Sequence, residues 1–167
     1  MQYDSVTTII RNLNEAGVRY LVVGGLAVVA HGYVRFTADV DLLLGLESVN
    51  AQNAMRVFKA MGYTPRAPVP IETFSDPAMR QLWIREKAMT VFSLYSTLHP
   101  GTEIDIFVED TLGFDQAVKN AKSFEIARGV AALVCSLSDL IKLKAMAGRP
   151  QDLLDIQKLT ALHREMP

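Results

Sequence analysis

The chain has 167 residues, half of them hydrophobic, enough for one buried core and too few for two ordinary domains. Its 17 basic and 18 acidic residues leave a net charge of −1, so no basic excess marks a non-specific nucleic-acid binder, although a local patch would serve for one. The single cysteine, Cys135, excludes an internal disulfide, and the polar start Met1-Gln2-Tyr3-Asp4 does not read as a signal peptide. The longest apolar stretch, residues 20–30, is too short to span a bilayer and is broken by Gly24-Gly25, so a cytoplasmic protein with no membrane attachment is expected.

Along the chain, Val6, Ile9, Ile10 and Leu13 recur at helical spacing before Gly17 and predict an opening amphipathic helix. Residues 20–23 read as a short buried strand, 26–31 as a helix starting at the glycines, and 39–44 as a strand ending at Gly45. An amphipathic helix over 49–61 stops at Gly62. The run Pro65-Arg66-Ala67-Pro68-Val69-Pro70 excludes helix interior and central strand; it is either a loop roofing or flanking a site or an inert connector. A short helix is expected at 77–85, and strands at 88–94 and 103–108 around the turn His99-Pro100-Gly101. Residues 114–121 follow as a helix, then 123–126 and 130–134 as a β pair, and helices over 138–147 and 150–163. The fold expected is α/β in the α+β sense: one domain over 1–167, with a mixed sheet core (1–135) flanked by helices and a C-terminal helix pair (136–167).

Chemistry concentrates in Asp39-Val40-Asp41. Side chains alternate along a strand, so the two aspartates share one face while Val40 and Leu42 take the other. Neighbouring carboxylates raise each other's pKa unless a cation lies between them, and all-oxygen ligands of this kind suit Mg²⁺, which completes its shell with water and substrate phosphates. In Glu103-Ile104-Asp105-Ile106 the alternation puts Glu103 and Asp105 on one face. If that strand pairs beside 39–44, Asp105 makes a third carboxylate, the number two Mg²⁺ ions use in phosphoryl chemistry; otherwise it marks a solvated face.

Four further positions carry weight. Gly24-Gly25, between strand and helix, either admits a phosphate close to the backbone or simply makes a tight turn. Lys144 falls on the apolar side of its helix, following Leu140 and Ile141, whereas Lys142 points to solvent; Lys144 then snorkels or meets an anion, which a triphosphate or an acidic partner supplies. In Gly148-Arg149-Pro150-Gln151-Asp152, glycine and proline punctuate two helices. Asp152, with Asp155 three residues on, stabilises a helix start, holds Lys144 or Arg149, or acts as a base. His31, His99 and His163 show no metal-ligand spacing, and His31 is expected to cap a helix with a partly positive ring.

With these residues in place, the chain resembles the nucleotidyltransferase superfamily with the DNA polymerase β-like fold, whose pattern is apolar-Gly-Gly/Ser, a gap, then acid-apolar-acid. His31-Gly32-Tyr33-Val34-Arg35-Phe36-Thr37-Ala38-Asp39-Val40-Asp41-Leu42, and Asp139 to Ala145 followed by Gly148 to Ile156, look like the small bacterial branch related to the abortive-infection toxins of type IV toxin–antitoxin systems. The resemblance implies transfer of a nucleoside monophosphate from a nucleoside triphosphate to a hydroxyl of RNA, protein or a small molecule, assisted by two Mg²⁺ ions. It implies Asp39, Asp41 and Asp105 as metal ligands and catalytic residues together with Asp152. Nucleotide contacts would come from Gly24, Gly25, Arg35, Thr37 and Lys144, and a homodimer or a cognate antitoxin are the partners it suggests. The other expectation is a non-catalytic nucleotide- or partner-binding module that keeps the fold.

Overall fold

A computed structural model describes residues 3–164; residues 1–2 of the polar start and 165–167 of the expected C-terminal helix pair lie outside the described residues. The order is α1 (Tyr3–Glu15), β1 (Tyr20–Val22), α2 (Gly24–Ala30), β2 (Asp39–Leu44), α3 (Ser48–Ala60), β3 (Thr64–Pro65), a 3₁₀ turn (Ile71–Ser75), α4 (Pro77–Lys87), β4 (Val91–Tyr95), β5 (Glu103–Phe107), α5 (Phe114–Asn120), β6 (Lys122–Ala127), β7 (Val130–Val134), α6 (Leu137–Ala147) and α7 (Pro150–Arg164). The strands form one mixed seven-stranded sheet in the order β3-β4-β5-β2-β1-β7-β6, as the expected fold class requires. β2 runs parallel to β5 and β1 parallel to β7, while the remaining neighbours are antiparallel.

The alternation read from β2 and β5 decides which face is chemical. Val40, Leu42, Ile104 and Ile106 are fully buried, whereas Asp39, Asp41, Glu103 and Asp105 are half-buried on the opposite face. Parallel register sets Asp39 beside Glu103 and Asp41 beside Asp105. The apolar side is closed by Ile9, Ile10 and Leu13 of α1 and by Ala51, Ala54, Met55 and Phe58 of α3. Trp83 of α4 stacks on Phe92 of β4 at 5.2 Å between ring centroids.

Local signals explain the C-terminal pair. The Ser136 hydroxyl accepts from the Asp139 N–H, and Gly148 ends α6 in the left-handed region at φ 63°. Pro150 opens α7, where its missing N–H costs nothing. Two expectations need correction, and one open alternative is decided. The strand foreseen from residue 88 starts only at Val91, because Ala88 adopts φ 47° as the stop of α4. The proline-rich run lies at the sheet edge, where β3 pairs with β4 and the Arg66 N–H donates to the Ser93 carbonyl, and it does not roof the site described below. For His31 the shift runs against the expected partly positive ring: burial lowers its pKa, and Nε2 donates to the Cys135 carbonyl at 2.8 Å, tying the end of α2 to β7.

Candidate active site

One cavity of about 380 Å³ gathers Gly24, Gly25, Arg35, Thr37, Asp39, Asp41, Asp105, Lys144 and Asp152, every residue singled out from the sequence as a site residue. β2 and β5 deliver the carboxylates, α2 the glycines, the 31–38 loop Arg35 and Thr37, and the α6–α7 junction Lys144 and Asp152. The glycine pair is there for the carboxylates. Gly24 sits at φ 60°, and a Cβ on it would overlap the Asp41 carboxylate; one on Gly25 would overlap the Thr37 hydroxyl. The Gly25 N–H also donates to Asp41 Oδ2 at 3.3 Å. Gly24→Ala is therefore expected to displace Asp41 and to destabilise the fold by about 1–2 kcal/mol from the left-handed backbone alone, read as a lowered denaturation midpoint.

The acidic half of the cavity has no ion-pair partner. No Lys, Arg or His among the described residues forms an ion pair with Asp39, Asp41 or Asp105. Burial raises the Asp41 pKa to about 6, with the Asp105 charge adding to it and the Asp39 charge contributing further. Asp39 is raised by burial first and then by Asp105 and Glu103. Glu103 stands apart, because Arg66 donates to it at 2.7 Å and holds its carboxyl below the ordinary value.

The donor set suits a divalent cation. It offers carboxylate oxygens only, crowded so that they resist ionising together, and Mg²⁺ usually takes one or two protein carboxylates and fills the rest of its shell with water and phosphate. The expected three-acid cluster is looser than foreseen. Asp105 does stand beside Asp41, yet among the described residues no group of three histidine, cysteine or acidic side chains is close enough to form a complete ligand set.

The basic half is a buried ion network. Lys144 Nζ lies 2.7 Å from Asp155 Oδ2 and 3.0 Å from Asp152 Oδ1, with all three side chains at most 5% exposed. Arg35 clamps Asp155 with two parallel bonds of 2.8 Å, and Arg149 Nε donates to Asp152 Oδ2 at 2.7 Å. Burial alone would raise both aspartates, but these donors outweigh it and hold each carboxyl below its ordinary value. The anion that Lys144 meets is thus acidic protein. Asp152 also accepts from the Arg149 N–H at the start of α7.

Asp155, Arg149 and Gln151 were not among the predicted site residues. The signal for Asp155 was its place three residues after Asp152 and beside Ile156, an acid on a face that also carries apolar residues. Its partner Arg35 lies 120 positions away, beyond any spacing argument.

The fold has relatives among solved structures. The chain is similar to an antigenic nucleotidyltransferase-like protein from Paracoccidioides brasiliensis, with a TM-score of 0.64 and 16% identity over 96% of this chain and 75% of that one. It is also similar to the lincomycin-bound lincosamide antibiotic adenylyltransferase LnuA, with a TM-score of 0.62 and 14% identity over 96% of this chain and 97% of that one. The fold is therefore the nucleotidyltransferase-like one. No protein-family model matches the chain, and no curated protein matches it significantly. No helix among the described residues is long and apolar enough to cross a membrane.

Proposed function

We propose that the protein is a Mg²⁺-dependent nucleotidyltransferase that moves a nucleoside monophosphate from a nucleoside triphosphate to a hydroxyl acceptor. The observation that carries this reading is the division of one cavity into an acidic half without ion-pair partners and a basic half. Three cations, Arg35, Lys144 and Arg149, face two carboxylates, Asp152 and Asp155, so the network keeps one positive charge in excess. That excess and the backbone of the Gly24-Gly25 turn suit a polyphosphate. Likeness to nucleotidyltransferase-like structures, one of them an adenylyltransferase, supports the same class of reaction.

In this reading Asp39, Asp41 and Asp105 hold Mg²⁺, which when bound supplies charge neutralisation for the phosphates and the reacting oxygens. The protein's own residues do the remainder. Gly24, Gly25, Thr37 and Arg35 orient the triphosphate against Lys144, while Asp152 and Asp155 fix the three cations Arg35, Lys144 and Arg149 so that they need not reorganise during reaction. An acceptor oxygen attacks the α-phosphorus; the new O–P bond forms as the bond to pyrophosphate breaks. Pyrophosphate leaves with the electron pair, and the hydroxyl proton passes to Asp105. Asp152 acts by positioning Lys144 and Arg149, since a carboxyl held below its ordinary pKa is a poor base.

The test is incubation of the protein with α-labelled nucleoside triphosphates, Mg²⁺ and separated RNA, protein and small-molecule fractions of a cell lysate. Label is expected to enter one fraction and to vanish with a chelator. Label in RNA or protein would give the toxin-like form of the reaction. Triphosphate binding without transfer to any fraction would contradict the enzyme and leave a nucleotide-binding module.

A further inference from the structure

Asp39, Asp41, Glu103 and Asp105 share the chemical face of β2 and β5, yet Glu103 does not line the cavity that the other three line. Parallel register sets it beside Asp39. Its carboxylate is turned instead to Arg66, which donates from Nε to Oε2 at 2.7 Å and from Nη2 to Oε1. We infer that Arg66 withholds Glu103 from the cation centre and thereby determines which divalent ion that centre prefers. The inference rests on the transfer reading above and names the residue that sets the ion selectivity of that site.

Arg66 is anchored from three sides. Its backbone N–H donates to the Ser93 carbonyl at 2.9 Å, and Ser93 stands opposite Asp105 in the antiparallel register of β4 and β5. Its guanidinium lies over the Tyr95 ring, 5.3 Å from the centroid. The paired bonds to Glu103 use the planar fork of a guanidinium, which lysine lacks. Both charges reach the centre, since Glu103 raises the Asp39 pKa and Arg66 lowers it. The proline-rich segment at the sheet edge is thus joined to the centre through one side chain.

Release of Glu103 would change the chemistry of the donor set. Neighbouring strands lie about 4.8 Å apart, and glutamate is one methylene longer than aspartate, so an ion held by Asp39 is within reach of Glu103. Ca²⁺ takes about six to eight oxygens in flexible geometry, whereas Mg²⁺ demands a near-octahedral shell with few carboxylates and the rest water and phosphate. A fourth carboxylate therefore favours Ca²⁺ and competes with phosphate oxygens. With Glu103 bound to Arg66, the centre offers three carboxylates and leaves the remaining positions to water and a triphosphate.

The test follows the Val40 amide, between the two aspartates, by NMR as Mg²⁺ or Ca²⁺ is added. It compares the wild type, Arg66→Ala, Glu103→Gln and the double variant, with Asp41→Asn as the control for the centre. The Arg66 and Glu103 side chains are 56% and 34% exposed, so losing their pair leaves the protein folded. Arg66→Ala is expected to bind Ca²⁺ about fivefold or more tightly than the wild type, and Mg²⁺ within about twofold of it. In the Glu103→Gln background the same substitution should change Ca²⁺ affinity by no more than about twofold, the residue of long-range charge. Unchanged Ca²⁺ affinity in Arg66→Ala, an equal gain for both ions, or the same gain without Glu103 would each overturn the inference and leave the centre standing. A Val40 response that survives in Asp41→Asn overturns the cation centre itself. So does the lack of any response to either ion when a non-hydrolysable nucleoside triphosphate is present.

Discussion

Asp41→Asn is expected to abolish transfer while making the metal-free protein more stable. Removing one preorganised electrostatic group from an active site lowers turnover by about 10²–10³, and Asp41 is the carboxylate most crowded by its neighbours, so the loss should reach at least that range. The stability gain has the opposite origin. Burial and the Asp105 charge raise the Asp41 pKa to about 6 in the folded state, above its unfolded value. A raised carboxyl favours folding while it is protonated, and this contribution disappears as pH rises from about 4 through about 6. At pH 7 the wild type carries the full cost, on the order of 1–3 kcal/mol for a half-buried group, whereas asparagine carries none and still accepts from the Gly25 N–H. Denaturant titrations in chelator should show the variant more stable at pH 7 and the difference closing toward pH 4. An equal difference at both pH values would contradict the assignment.

The second large effect belongs to the basic half. Lys144→Ala leaves Asp152 and Asp155 without their shared buried cation, and breaking a buried ion pair by removing one partner costs about 3–5 kcal/mol. Lys142→Ala removes a side chain that is 62% exposed, and its buried partner Asp139 keeps the bond from the Ser136 hydroxyl, so it should cost about 1 kcal/mol or less. The pH dependence is the reverse of that of Asp41. Asp152 and Asp155 are held below their ordinary values, so their contribution is present at neutral pH and fades as pH falls below about 4, through their folded pKa values. Thermal unfolding of the two lysine variants at pH 7 and pH 3 checks both statements. Nearly equal midpoints for the two variants at pH 7 would mean that Lys144 is only a snorkelling side chain. Nucleotide affinity, expected to fall by about 1.5–3 kcal/mol in Lys144→Ala, is best read where that variant remains folded.

Local pattern carried much of this into the sequence. Acid-apolar-acid on a strand fixes which side chains share a face, and the positions of Gly24-Gly25, Gly148 and Pro150 follow from backbone sterics that need no partner. Long-range pairing carried the rest. The alignment of Asp105 with Asp41 depends on two strands more than 60 positions apart choosing a parallel register, which alternation cannot specify. Lys144 was legible as buried and its pairing with Asp152 or Asp155 was among the alternatives, yet the clamp of Arg35 on Asp155 was not, because those two meet only after α7 docks beside the 31–38 loop. His31 misled for a related reason: its place at a helix end suggested a charged ring, but desolvation lowers its pKa more than the hydrogen bond to the Cys135 carbonyl raises it.

The central claim is that Asp39, Asp41 and Asp105 form the divalent-cation centre and that the Lys144–Asp152–Asp155 network does not. Electron paramagnetic resonance of Mn²⁺, titrated into the protein with a non-hydrolysable nucleoside triphosphate, tests it most directly. The free Mn²⁺ signal should fall with the wild type and with Asp152→Asn, and remain close to the protein-free level with Asp41→Asn. Equal uptake of Mn²⁺ by the wild type and Asp41→Asn, or its loss in Asp152→Asn alone, would contradict the account.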